Sequence, residues 1–224
     1  MVEGTSDERA LSSITRFFRE AHDIHIHFTN GDIFTKNTQK QTKAIVGDEI
    51  KGVMDKQKFL KEDILAVIQI TDTDGVFIDD RFVVVDASID EKTIYLQDGI
   101  RVSNEDQAVK IKKRNKDKST KVRTMLSAQK VIDFPYYLLY FSCNLDHVLH
   151  EDCNTPENMK FLKAKEFNDK FKQKFDDFRS FFTNGTFIVN GTHKETWDFI
   201  QKDRNSLRRY SNFHLIFGIL ESLI

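Results

Sequence analysis

Residues 64–70, Ile64, Leu65, Ala66, Val67, Ile68, Gln69 and Ile70, form an almost unbroken apolar run of strand length. A strand that is apolar on both faces has to be covered on both, the condition met by a parallel strand inside an α/β sheet. The run stops at Thr71, Asp72, Thr73, Asp74 and Gly75, an acid-bearing turn at the strand's carboxyl end. Before it, residues 7–20 set Ala10, Leu11, Ile14, Phe17 and Phe18 on one helical face, with Ser6 or Asp7 as cap. Ile24, Ile26 and Phe28 alternate with His25 and His27, the period-2 mark of a strand, and Asn30, Gly31 and Asp32 end it as a turn. Residues 43–60 are helical in pattern, and residues 82–85 and 93–96 read as short strands. Strand, helix, strand order predicts an α/β sheet.

After about residue 100 the texture changes. Residues 110–123 carry Lys110, Lys112, Lys113, Arg114, Lys116, Lys118, Lys121 and Arg123 against Asp117 alone. The rest is rich in aromatics and mostly helical in pattern, which predicts an α/β unit over residues 1–100 and a mainly helical region over 101–224. Twenty phenylalanines and a hydrophobic content of 39% exclude a disordered chain. A net charge of -1 exerts no global pull toward nucleic acid or membrane, so any nucleic-acid surface has to be local. Cys143 and Cys153 make neither a disulfide framework nor a four-cysteine zinc site, and are expected to be reduced thiols. No apolar run reaches the ~18 residues that span a bilayer. Residues 1–20 are too polar for a signal peptide, so a cytoplasmic protein without a membrane partner is expected.

Acids at the carboxyl ends of adjacent parallel strands converge where open α/β sheets bind ligands. Asp72 and Asp74 have that placement, and Glu3, beside a strand segment, is expected to lie within reach of the same metal. Three such carboxylates repel one another unless a hard cation sits among them. Mg²⁺ suits that position, because it accepts one or two carboxylates plus water and phosphate oxygens. Asp72 and Asp74 are the expected ligands, with Glu3 sharing the metal or acting as general acid or base. Gly4 would let a phosphate approach the backbone beside the helix.

The run Glu3, Gly4, Thr5, Ser6, Asp7, Glu8, Arg9, Ala10, Leu11 resembles the first motif of the TOPRIM family, the fold shared by topoisomerases, bacterial primases and overcoming-lysogenization-defect (OLD) nucleases. Glu3, Gly4, Asp7, Ala10 and Leu11 fit that motif in register. Asp72 and Asp74, directly after a hydrophobic strand, match its second motif. The family places a strand before the Glu, whereas only Met1 and Val2 precede Glu3. Either the chain is shortened at its N-terminus or the sheet lacks that strand. The resemblance implies a mostly parallel sheet flanked by helices and a catalytic centre using Mg²⁺ or Mn²⁺. The chain is short for a topoisomerase and lacks the zinc cysteines of a primase, so it looks most like OLD, RloB-like and AbiL-type anti-phage nucleases. That likeness implies a metal-dependent nuclease effector of abortive infection, cutting DNA or RNA beside a separate ATPase partner. The competing reading is a non-catalytic TOPRIM-like module that docks onto such an ATPase.

The basic run is either a phosphate clamp or a solvated face. As a clamp it would use Lys112, Lys113, Arg114 and Lys116, with Lys116 or Lys118 neutralising developing charge. Asp146 lies in an acidic segment similar to one in the OLD and RloB-like proteins, and is a candidate for holding a second metal or for positioning. His147 and His150 beside it have ligand spacing, though a helix start capped by Asn144 accounts for them more simply. Phe167, Phe171, Phe175, Phe178 and Phe182 make a helical stripe that is either core or an interface with a second copy or partner.

Overall fold

The computed structural model describes every residue except Asp23, His25, Thr29, Asn30 and Asn37. The apolar run yields strand β1, Val67–Asp72, which starts three residues later than the pattern predicts because residues 61–63 close a 3-10 turn first. Strands β2 (Val83–Val85), β3 (Thr93–Leu96) and β4 (Gly99–Val102) follow, then the two-residue β5 (Lys130–Val131) and β6, Phe134–Phe141. β1 pairs in parallel with β6, from Val67 opposite Tyr136 to Asp72 opposite Phe141, and β5 adds to β6 antiparallel. β2, β4 and β3 form a separate sheet in that order, with β2 parallel and β3 antiparallel to β4. The chain is thus α/β with two small mixed sheets, where a single, mostly parallel one was expected.

The neighbour of β1 comes from a part of the chain whose aromatics suggested helix. Residues 134–141 form a strand because alternate side chains serve two different cores. Leu139 and Phe141 pack on one face with Leu11, Ile14, Phe178 and Phe213, while Tyr136, Leu138 and Tyr140 pack on the other with Val46, Val122 and Trp197. The first face is covered by helices α1 (Thr5–Ala10), α2 (Ser12–His22), α6 (Glu157–Lys170), α7 (Phe175–Asn184) and α9, Leu215–Glu221. The second is covered by α3 (Thr42–Gln57), α4 (Glu105–Leu126) and α8, His193–Ile200. Residues 1–100 and 101–224 therefore share one sheet and both of its cores. On the outer side of β1, the Met1 amine donates to the Ile68 carbonyl at 2.6 Å and the Ile70 N–H donates to the Met1 carbonyl at 2.8 Å. Before Glu3, Met1 thus pairs along the outer edge of β1.

Two other expectations change. Ile24, Ile26, His27 and Phe28 form no strand, and His25 and Asn30 lie outside the described residues. The alternation is used differently: Ile24, Ile26 and Phe28 rest half-buried against the first core, and the Ile24 N–H bonds the Phe18 carbonyl. The phenylalanine stripe is split between two helices, with Gln173 at φ 61 in the break. Phe167, Phe171, Phe178 and Phe182 are all buried within the chain. Each such ring contributes roughly 1.5–3 kcal/mol of burial, so this stripe is core and not an interface.

Candidate metal centre

Because β1 and β6 run in parallel, their carboxyl ends open on the same edge of the sheet, and every acid of the site hangs from that edge. Asp72 is the last residue of β1. Thr73 then ties the two strand ends together: its N–H donates to the Phe141 carbonyl, its hydroxyl donates to the Ser206 carbonyl, and the Cys143 N–H donates to that hydroxyl. The chain reverses through Asp74 at φ 48 and Gly75 at φ 68. Aspartate tolerates the left-handed region better than most residues. Gly75 is required, because a Cβ there would lie 2.4 Å from Leu207 Cδ2. The Asp74 N–H donates to the Cys143 carbonyl at 2.8 Å, which aims its carboxylate at α4.

Glu3 reaches the same place from the Met1 pairing. Its Oε1 accepts from the Thr71 hydroxyl at 2.6 Å, the Asp72 N–H at 3.0 Å and Lys118 Nζ at 3.1 Å. Lys118, in the middle of α4, is completely buried. Its ammonium also donates to Asp32 Oδ2 at 2.9 Å and Asp74 Oδ2 at 2.7 Å. Asp32 accepts the Phe34 N–H on its other oxygen, capping the 3-10 turn Ile33–Thr35. Outside this buried knot lies a cleft of about 610 Å³, whose charged lining includes Glu3, Asp7, Asp72, Asp74, Asp146 and Lys160. Among the described residues, no hydrogen bond or ion pair reaches the Asp72 carboxylate.

The electrostatics follow from that crowding. Burial, and then the nearby Asp32 and Asp74 charges, push the Glu3 carboxyl up to about 8, even though Lys118 and the Thr71 hydroxyl pull it down. Asp72 is raised well above the usual range by burial and then by Glu3, Asp7 and Asp74. Burial, with Asp7 and Asp152 adding to it against Lys160 and Lys163, takes Asp146 to about 6. Burial disfavours the Lys118 charge, but Asp74, Glu3 and Asp32 outweigh it and hold the ammonium protonated far up the scale. The cleft therefore carries more carboxylate than its own cations neutralise, and part of the excess is held as protons.

Of the residues singled out from sequence, Glu3, Asp72, Asp74 and Asp146 line one cleft and Lys118 bonds Glu3 and Asp74 behind it. The expected ligand set does not close as a group: among the described residues the acids at ligand spacing are Glu3, Asp32 and Asp74, without Asp72 or Asp146. Lys116 is not at the cleft: it lies exposed on the opposite face of α4, with Lys113. Arg114 is taken up as a strut, donating to the Tyr95 hydroxyl at 2.6 Å and the Asp74 carbonyl at 2.7 Å, so it holds the acidic turn from behind. Lys121 is likewise committed to the Phe34 and Lys36 carbonyls. The solvent-facing part of the basic run is Lys110, Lys113, Lys116 and Arg123, the last of which donates to Gln201 Oε1, while Lys112 is half-buried. Gly4 lines the cleft, but its N–H already donates to Asp7 Oδ2 at 2.9 Å, and a Cβ there would meet nothing closer than 3.4 Å. It therefore offers no spare backbone donor to a phosphate. Asn144 caps the short helix α5, Leu145–His150, by accepting the His147 N–H; this turns Asp146 toward the cleft, whereas His147 is buried and the His150 ring packs on Phe167. Cys143 and Cys153 are both free thiols.

Sequence reasoning missed Asp32 and Lys160 and gave Asp7 a motif position and a capping role only. Asp7, one helical turn after Glu3, carried a usable signal. Asp32 carried none beyond a turn. No family model matches this sequence, and no curated protein or solved structure matches the chain.

Proposed function

We propose that this chain is a metal-dependent phosphodiesterase acting on nucleic acid, with its catalytic centre in the Glu3–Asp72–Asp74 cleft. One observation carries the reading: Asp72, half-buried and unpaired among Glu3, Asp7 and Asp74, presents a carboxylate to a cleft whose acids outnumber its cations. The donor set fits Mg²⁺ or Mn²⁺, since it consists of hard carboxylate oxygens. The sulfur in the lining, Cys153 Sγ, is turned to the Tyr95 carbonyl at 3.2 Å. Asp72 would hold the ion, with water and phosphate oxygens completing its shell and Glu3 and Asp7 as the acids nearby. A bound ion supplies Lewis-acid polarisation of a phosphoryl oxygen.

The chain's own residues do the rest. Lys118 fixes Glu3 and Asp74 in place, so the edge of the cleft is rigid before substrate arrives. Lys160, on α6, lines the same cleft but is paired with Glu157 at 2.8 Å, so it would have to leave that partner to meet an anionic phosphate. Asp146, whose carboxyl sits at about 6, can take up or release a proton near neutrality. Lys110, Lys113 and Lys116 offer a backbone track on the exposed face of α4, with half-buried Lys112 at its edge. The likeness to TOPRIM anti-phage nucleases, an abortive-infection role and a separate ATPase partner belong to this proposal too. Among the described residues no helix is long and apolar enough to cross a membrane.

The test is cleavage of labelled single- and double-stranded DNA and RNA by the purified chain with Mg²⁺ or Mn²⁺. Metal-dependent cleavage that disappears in Asp72→Asn is the expected result; no cleavage of any substrate, together with no metal binding, would overturn the reading. A second reading, a non-catalytic docking module, is favoured by a different feature. An apolar cavity of about 700 Å³ lies beside β1, bordered by Phe59, Leu65, Ile68, Phe213 and Leu223. A partner protein captured equally by wild type and Asp72→Asn would favour it.

A further inference from the structure

The carboxylate oxygens of Glu3, Asp32 and Asp74 lie within 4.8 Å of one another, a spacing that suits ligands around one hard cation. The cation they surround is the protein's own. Lys118 Nζ stands 3.1, 2.9 and 2.7 Å from the three, so each of its three donors has a carboxyl oxygen to itself. The helix cannot readily withdraw it: Asn115, Ser119 and Val122 are buried beside it on α4, and the 22-residue helix is capped where the Asn104 side chain accepts the Gln107 N–H. Asp32 does not line the cleft, and its second oxygen is engaged by Phe34. Its place is to hold the lysine.

We propose that Lys118 is a built-in substitute for a metal ion. It closes the Glu3–Asp32–Asp74 position to divalent cations and leaves the cleft one metal position, on the Asp72 side. The stoichiometric claim rests on the metal-centre reading above; the assignment of Lys118 rests on the triad alone. A divalent ion entering the triad would meet an ammonium about 3 Å from the same oxygens, and burial of that ammonium leaves solvent little part in screening the two. Asp74, whose Oδ2 is committed to Lys118, is then a wall of the cleft more than a ligand, and of the two acids in the turn Asp72 alone is open. The number of ions the protein can hold is in this way set by a residue on a helix far from the acidic motifs in sequence.

Mn²⁺ binding to the full chain, counted by isothermal titration and by electron paramagnetic resonance, tests this in wild type and Lys118→Ala. One ion is expected in wild type and one more in the variant. Crystals of the variant grown with Mn²⁺ should show an anomalous peak between Glu3, Asp32 and Asp74. Equal stoichiometry in the two proteins would overturn the proposal. So would a wild-type anomalous peak at the centre of the triad with Lys118 displaced, a measurement that holds even if Lys118→Ala does not fold. Zero ions in wild type and one in the variant would uphold the assignment of Lys118 and sink the metal-dependent reading of the cleft. Two ions in wild type, one of them at the triad, would do the reverse.

Discussion

Glu3 gives a direct thermodynamic handle on the cleft. Its carboxyl is held at about 8 against an ordinary 4.5, first by burial and then by Asp32 and Asp74. Between those values the folded chain keeps a proton that the unfolded chain has released, so folding and proton uptake are linked. The contribution is fully present below about pH 4.5 and is lost as the pH rises through about 8. The metal-free protein should therefore lose stability across that window. One such proton gives a slope of roughly 1.4 kcal/mol per pH unit. Over the whole window that amounts to several kcal/mol, a large part of the net stability of a typical domain. Asp72, raised by burial and by its acidic neighbours, adds the same sign. Urea denaturation of wild type and Glu3→Gln in chelator, at intervals from about pH 5 to 8, isolates the Glu3 part. Wild type should fall more steeply by about 1 kcal/mol per pH unit, and saturating Mn²⁺ should flatten its curve. Parallel curves for the two proteins would refute the electrostatic account of the site.

Other consequences follow from the same geometry. Gly75→Ala adds a Cβ 2.4 Å from Leu207 in a left-handed turn, which should cost roughly 2–5 kcal/mol from backbone strain plus overpacking; a melting temperature within a degree of wild type would count against the turn as described. Phe178→Ala removes a fully buried ring from the first core and should destabilise by about 3–5 kcal/mol; a folded chain of unchanged stability but altered oligomeric state would return the stripe to the surface. Replacing Lys110, Lys113 and Lys116 together with alanine should reduce the log–log salt slope of nucleic-acid binding by about 0.9 for each phosphate no longer neutralised, while Arg114→Ala should instead lower thermal stability by releasing the Asp74 turn. An unchanged salt slope in the triple variant would make that face of α4 solvated surface only.

What the sequence determined by itself is local. The apolar run gives a strand over its second half, Val67 onward, with Leu65 left exposed before it, the acids that follow fall at that strand's carboxyl end, and the helical period of residues 43–60 is met as far as Gln57; each of these depends on neighbours a few positions apart. Glu3, Asp72, Asp74, Asp146 and Lys118 were all visible as candidates, since acids and lysines beside regular elements stand out. The tertiary structure decided what they do to one another. Residues 134–141 became a strand because two separate cores compete for their alternate side chains, and no local preference could outweigh that burial. Ile24, Ile26 and Phe28, with the period of a strand, found no strand to pair with and settled half-buried against helices. Lys116 and Lys118 look alike in sequence, yet their two-residue spacing turns one to solvent and the other into the protein's interior. Lys118 carries its charge there only because Glu3, Asp32 and Asp74, from three distant stretches, arrive at the same point, and the penalty for burying an ammonium is offset by partners that only the folded chain supplies.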